Sequence, residues 1–240
     1  PVLLYGFFRI SGQSRKLRAG SYEISPDMSP RRVLNMLARG EESLKTVVLV
    51  EGWTFKQFKQ ALAKSEALKN TAQALSDAEI MAQLGRPGTH PEGRFYPDTY
   101  TYAKGSTDMA VMQRALKAMD RQLAKVWTQK PAHLPISNSD ELLTLASIVE
   151  KETGRASDRP LIAAVFHNRL KIGMRLQTDP TVIYGLGDTF DGNLRRIDLR
   201  TDTPYNTYTR AGLPPTPIAM PGKAALLAAI HPAPSNALYF

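Results

Sequence analysis

Two carboxylates stand close together at the end of an apolar run in this chain, Glu150 and Glu152 in 145-LASIVEKETG-154. A carboxyl set against apolar surface loses solvation in its charged form. It therefore holds its proton nearer neutrality, which is what a general acid needs. Acid chemistry of this kind, done without metal or thiol, includes glycosidic bond cleavage. The chain has ten glutamates, at 23, 41, 42, 51, 66, 79, 92, 141, 150 and 152. Most fall in charged, surface-like contexts, and Glu141 sits where a helix cap belongs. Glu150 and Glu152 differ because Leu142, Leu145, Ala146 and Val149 lead into them. On a helix they lie about 200° apart, so they cannot share one cleft. They flank the apolar stripe at roughly 90° and 70° from its centre, so phase barely separates them. Glu152 lies just before the break at Gly154, where a helix end can meet a groove and the helix dipole opposes negative charge. The bland alternative is two solvated carboxylates on a helix end.

Two polar strings would complete an acid site. The run 174-MRLQTDPTVIYG-185 offers Gln177, Thr178, Asp179 and Tyr184, and 204-PYNTY-208 offers Tyr205, Asn206 and Tyr208. Amides and aromatic rings suit sugar hydroxyls, N-acetyl groups and ring faces. Read as ordinary turns, these strings would need Pro and Asn but not three tyrosines and a Gln-Thr-Asp. Other chemistries find little support. The sequence has no P-loop, no strand–GxGxxG–helix unit, no HExxH and no GxSxG, and its four histidines lack metal-ligand spacing. It has no cysteine, which excludes thiol nucleophiles, disulfides and Cys-ligated metals. No metal and no cofactor are expected.

The elements that must position these residues are legible in outline. Residues 18–25 alternate as a strand, then Ser29-Pro30 opens a helix carrying Val33, Leu34 and Leu37 and ending at Gly40. Thr46–Val50 reads as a buried strand, and Thr54 as the cap of a helix with Phe55, Phe58 and Leu62 inward. The stretch 65–95 holds short helical pieces, running into the turn-rich 86-RPGTHPEGRFYPDTY-100. A helix over 108–126 carries a methionine and leucine stripe, which is core rather than a cofactor box. The proline-bearing 128–139 stretch is a linker. Asn138 and Glu141 resemble a capping box for a helix reaching Gly154. Asp158-Arg159-Pro160 then starts another helix, burying Leu161, Ile162, Val165 and Phe166. Beyond Gly173 the chain reads as loops until an Ala/Leu helix at 222–230.

Hydrophobic residues make up 42% and charged residues 22%, ordinary values for a chain with a real core. Lys and Arg exceed Asp and Glu by 31 to 22, a formal charge of +9 that favours a polyanionic partner or an anionic surface. The basic residues are scattered and lack interleaved aromatics, so nucleic acid is not the expected partner. The opening PVLLYGFFRI is apolar but too short to span a bilayer.

The strings ASIVEKET, VFHNRL, IGMRLQTDPTVIYGLG, TPYNTY, GLPPTPIAMPG and IHPA, in this order, resemble the endolytic murein transglycosylase, or YceG-like, family. VEGWTF and RFYPDTY support the match upstream. The resemblance covers residues 46–240 as a catalytic domain, and residues 1–45 look like the LysM-like module that precedes it. It implies an α+β fold: a small LysM-like N-terminal module, then a mainly helical catalytic region with a short sheet. It implies a single-pass protein of the bacterial inner membrane, with its catalytic part in the periplasm. The family's N-terminal membrane helix is absent from these 240 residues, and its members continue past Leu238-Tyr239-Phe240. The implied substrate is the bond between N-acetylmuramic acid and N-acetylglucosamine in peptidoglycan glycan strands, cut to leave a 1,6-anhydro end. The implied partners are cell-wall synthesis proteins such as penicillin-binding proteins. The family's catalytic glutamate maps to Glu152. Gln177, Thr178, Asp179, Tyr184, Tyr205 and Asn206 become the substrate-binding candidates. A wall-binding scaffold without turnover is the competing class, separated from the enzyme by whether product forms.

Overall fold

The computed structural model describes residues 16–240, together with Gly6, Arg9 and Ile10. Most of the apolar opening segment lies outside the described residues. Helix α1 (Pro30–Arg39) begins and ends as its local chemistry dictates. Ser29 Oγ accepts from Arg32 N–H, Pro30 occupies the first turn, and Gly40 closes the helix in the left-handed region at φ 70°. Strand β1 (Leu44–Val48) follows, and α2 (Phe55–Ala63) starts at a reciprocal capping box between Thr54 and Gln57. Helix α3 (Asp77–Gln83) starts the same way, at Ser76 and Glu79. Strand β2 (Thr99–Ala103) pairs antiparallel with β1, setting Val47 opposite Tyr100. Phe55, Phe58 and Phe95 form the centre of a first apolar cluster, with Phe55 and Phe95 stacked at 5.1 Å.

Three expectations change in this part. Residues 18–25 form no strand, and Ser43 N–H donating to the Ser21 carbonyl is an isolated link. The strand expected over 46–50 runs from 44 to 48, and within it only Val47 is buried. A two-stranded sheet covered on one face leaves Val48 and Val50 outward, which the β-branched run alone does not reveal. Strand β2, which begins where the turn-rich 86–100 stretch ends, is its partner.

The second half is helical. Helix α4 (Asp108–Trp127) buries Met112, Leu116, Met119 and Leu123, so the methionine stripe is core. Helix α5 (Ser139–Glu152) is capped by Asn138, whose side chain accepts from Glu141 N–H at 2.8 Å, while Glu141 reaches Ser137 N–H at 2.7 Å. Every residue from Leu142 to Val149 is buried. Helix α5 is thus a central helix rather than an amphipathic surface helix. Helix α6 (Arg159–Lys171) follows. Asp158 precedes it but makes no side-chain cap bond, and Leu161 is half exposed rather than core, because Ile162, Val165 and Phe166 already fill the inward face. Where loops are expected beyond Gly173, two helices form, α7 (Asp179–Leu186) and the short α8 (Arg196–Arg200). Helix α9 (Lys223–Ile230) closes a second apolar cluster with α4, α5 and α6. Among the described residues the result is an α+β arrangement, mostly helical with one small sheet. Among the described residues no helix is long and apolar enough to cross a membrane.

Candidate active site

Glu152 is the last residue of α5, and the chain leaves the helix at Thr153 in an extended conformation. Its carboxylate accepts one hydrogen bond, from Thr178 Oγ1 at 2.7 Å. Thr178 is buried at the start of α7, and its own backbone N–H donates to Thr207 Oγ1 at 3.1 Å. Gln177 N–H donates to the Thr207 carbonyl at 3.1 Å, and the Thr181 and Thr207 hydroxyls bond each other at 2.8 Å. Tyr208 Oη donates to Asp179 Oδ1 at 2.5 Å. The QTDP and PYNTY strings are therefore one structure, laced together directly beside Glu152. Gln177 adopts φ 48°, a left-handed conformation that a non-glycine residue enters only when its surroundings force it.

The electrostatics shift Glu152 toward its protonated form. Burial pushes its pKa up, the bond from Thr178 opposes that, and the Asp179 charge pushes it up again while Arg169 lowers it. The Asp179 bond and Glu152's charge contribute, after burial, to raising the Tyr208 phenol as well.

Glu150 points elsewhere, as the 200° separation requires. Its carboxylate pairs with Arg159 at 2.8 Å and accepts from Gly222 N–H at 2.8 Å, with side chains only 5% and 10% exposed for Glu150 and Arg159. That pair ties the end of α5 to the start of α6 and to the turn before α9. Glu150 is occupied by structure.

The remaining candidates divide. Tyr184 and Tyr205 meet edge-on at 4.9 Å and line a cleft of about 740 Å³, together with Thr54, Lys56, His90, Glu92, Lys151 and Ile183. Lys151, the sequence neighbour of Glu152, lines this cleft, whereas Glu152, Gln177, Thr178 and Asp179 do not. Tyr205 Oη shares a hydrogen bond with Thr216 at 2.8 Å. Gln177 and Asp179 are exposed, within reach of a ligand. Asn206 is not: it is fully buried, and its amide donates to the carbonyls of Asp198, Leu199 and Thr201 while its oxygen accepts from Tyr208 N–H. It shapes the PYNTY turn from inside.

A further carboxyl sits in the cleft wall. Glu92 is 3% exposed, where the sequence reading places it among surface glutamates. Its oxygens accept from Phe55 N–H at 3.0 and 3.2 Å and from Tyr184 Oη at 3.2 Å. Burial pushes its pKa up to about 7 against those bonds. The apolar and turn-forming neighbours in 91-PEGRF-95 are the local signal that sets it apart from glutamates in charged runs. Among the described residues no group of His, Asp and Glu is arranged to hold a metal ion.

Several known proteins are similar to this chain. The YceG-like family matches residues 3–240. A protein of Bacillus subtilis named endolytic murein transglycosylase is 33% identical over 93% of this chain, and a Streptococcus pneumoniae protein of the same name is 31% identical over 99%. The chain spans 66% of the length of the first and 49% of the second. A crystal structure of a YceG-like protein from Listeria monocytogenes superposes with a TM-score of 0.66 at 32% identity, covering all of this chain and 84% of the other. The chain belongs to the YceG-like family.

Proposed function

We propose that this chain is the catalytic part of an endolytic lytic transglycosylase acting on peptidoglycan, with Glu152 as its single acid and base. The names of its relatives support the substrate class. The observation that carries the chemistry is the Glu152 carboxyl, desolvated at a helix end and bonded by one neutral hydroxyl. Glu152 gives its proton to the glycosidic oxygen as the bond from the muramoyl C1 breaks, releasing the N-acetylglucosamine 4-hydroxyl. Positive charge develops on the muramoyl ring. The Glu152 carboxylate then takes the proton of the muramoyl 6-hydroxyl, whose oxygen closes on C1. The carboxyl ends protonated, no water is consumed, and no second catalytic carboxylate is required.

Gln177, Thr178, Asp179, Tyr184 and Tyr205 bind and orient the sugar in this reading. Thr178 fixes the Glu152 carboxyl, Asp179 and Gln177 present polar groups, and the two tyrosine rings offer faces to the glycan. Asn206 acts at one remove, by holding the turn that carries Tyr205 and Tyr208. The cell setting follows the same reading: an N-terminal LysM-like module over residues 1–45, a membrane anchor ahead of it, and periplasmic action beside penicillin-binding proteins. Purified sacculi digested with this protein should yield fragments whose muramoyl ends are lighter than reducing ends by one water. Glu152→Gln should remove that product by at least about 10²-fold. Near-normal product from the variant overturns the assignment.

A further inference from the structure

The cleft lies between two separately packed halves. Phe55 belongs to the first apolar cluster, with Phe58 and Phe95, and Tyr184 and Tyr205 pack against the second, around α5. Few polar contacts tie these halves together across the cleft. One is the pair Lys56–Asp188, from α2 to the turn after α7, but its side chains are 61% and 85% exposed and such pairs contribute little. The other is Glu92. Its carboxyl receives the first backbone N–H of α2 and the Tyr184 hydroxyl of α7, and it does so almost wholly out of water. The loop bearing it is fixed as well. His90 Nδ1 accepts from Glu92 N–H at 3.2 Å, and Gly93, at φ 76°, lies so close to Pro217 that a Cβ there would sit 2.5 Å from the proline Cβ.

We propose that Glu92 is a positioning residue of the cleft, holding Tyr184 and the helix that carries it against the start of α2 at the width a glycan strand requires. This rests on the reading of the cleft as the glycan site. Glu92 acts through two routes. Tyr184 is a wall of the cleft, and its ring sets the Tyr205 ring edge-on beside it. The same helix α7 begins at Thr178, the hydroxyl that holds Glu152, so a shift of α7 disturbs both binding and the acid. The role does not need Glu92 to touch the sugar, and its burial leaves it little surface to do so. A raised pKa fits a carboxyl kept for its bonds rather than its charge.

The test uses glycan strands and four variants: Glu92→Ala, Glu92→Gln, Tyr184→Phe and the double Glu92→Ala/Tyr184→Phe. Glu92→Ala should raise KM about tenfold, and lower kcat as well, because α7 also carries the Thr178 hydroxyl that holds Glu152. Glu92→Gln should recover most of that loss, because its carbonyl still accepts from Phe55 N–H and its amide can donate to Tyr184. Tyr184→Phe should raise KM by less, because it breaks only the Tyr184 contact while Glu92→Ala also strips Phe55 N–H of its acceptor, and the double variant should be no worse than Glu92→Ala. An unchanged KM in Glu92→Ala and Tyr184→Phe overturns the proposal. So does a Glu92→Gln protein that folds but has lost kcat, because a reacting carboxyl would then be at work. Binding of intact strands, measured by calorimetry in the Glu152→Gln background, separates this from the functional reading. If wild-type protein releases no anhydro product, the assignment of the reaction fails. The clamp still stands if Glu92→Ala weakens strand binding about tenfold, and falls if affinity is equal.

Discussion

Glu150 and Glu152 are two residues apart, yet the proposed function gives them opposite jobs, and removing each should produce opposite signatures. Glu150→Ala leaves the Arg159 guanidinium without its partner at 10% exposure, and leaves Gly222 N–H without an acceptor. Breaking a buried pair from one side costs about 3–5 kcal/mol, because the surviving charge stays desolvated. For a chain of this size each kcal/mol moves Tm by about 2–4 °C, so the loss should be about 6–20 °C. Activity assayed well below the new Tm should survive. Glu152→Gln should do the reverse. Burial already disfavours the charged form of Glu152, so a neutral isostere should melt no lower than wild type at pH 7, while product disappears. Calorimetric melts and muropeptide analysis on the same preparations give both readouts. The apolar replacement Glu150→Leu/Arg159→Met supplies a control, since removing both charges should recover much of the lost Tm. A Glu150→Ala protein that melts like wild type but makes no product would refute the reasoning, and would mean that the reacting carboxyl is the other one.

Three further outcomes follow from single contacts. Burial shifts Glu92 from 4.5 to about 7, equivalent to about 3 kcal/mol favouring its neutral form in the folded state. That contribution is whole below pH 4.5 and lost as pH rises through 7. Wild type should therefore lose about 3 kcal/mol relative to Glu92→Gln between pH 4 and pH 8, measured by urea unfolding, and a constant gap would contradict it. Gly93→Ala must hold φ 76° and push against Pro217 and the Ala219 carbonyl, at about 2–4 kcal/mol of stability, read from the denaturant midpoint. Asn206→Ala strips donors from three carbonyls and should lower stability by about 1–3 kcal/mol; a melt unchanged from wild type would show that the turn does not depend on it.

What the sequence reveals here is what short-range chemistry decides. Ser29, Thr54 and Asn138 announce their helices because a cap acts within three residues. The methionine stripe of α4 shows its period within its own length. Helix α7 is missed because Asp179-Pro180 satisfies a turn and a helix start equally well, and the choice is made by Thr207 bonding Gln177 and Thr178 from 29 to 30 residues away. Glu92 is missed for a similar reason: the groups that bury it, Phe55 and Tyr184, lie 37 and 92 residues off. Asn206 reads as a ligand-facing amide because nothing in PYNTY says that three carbonyls of α8 and its end converge on it. The polar types in both strings are legible, but the direction each side chain takes is set by tertiary contacts.

The divergence of two neighbouring carboxyls follows from who reaches them. Both are desolvated, and burial raises the pKa of both. Glu150 then meets a guanidinium at 2.8 Å, so its charge is neutralised in place and its proton is not for transfer. Glu152 meets a hydroxyl. Arg169 donates to the carbonyls of Leu176 and Leu238, and its field reaches Glu152 without a bond. Asp179 acts on it more strongly, and its negative charge opposes ionisation. A hydroxyl also adapts where a guanidinium cannot: Thr178 Oγ1 can donate to the carboxylate or accept from the carboxyl. The same contact therefore serves Glu152 before and after it gives up its proton. That reversibility is what one carboxyl acting first as acid and then as base demands, and replacing the hydroxyl by a fixed charge would lock it in one state.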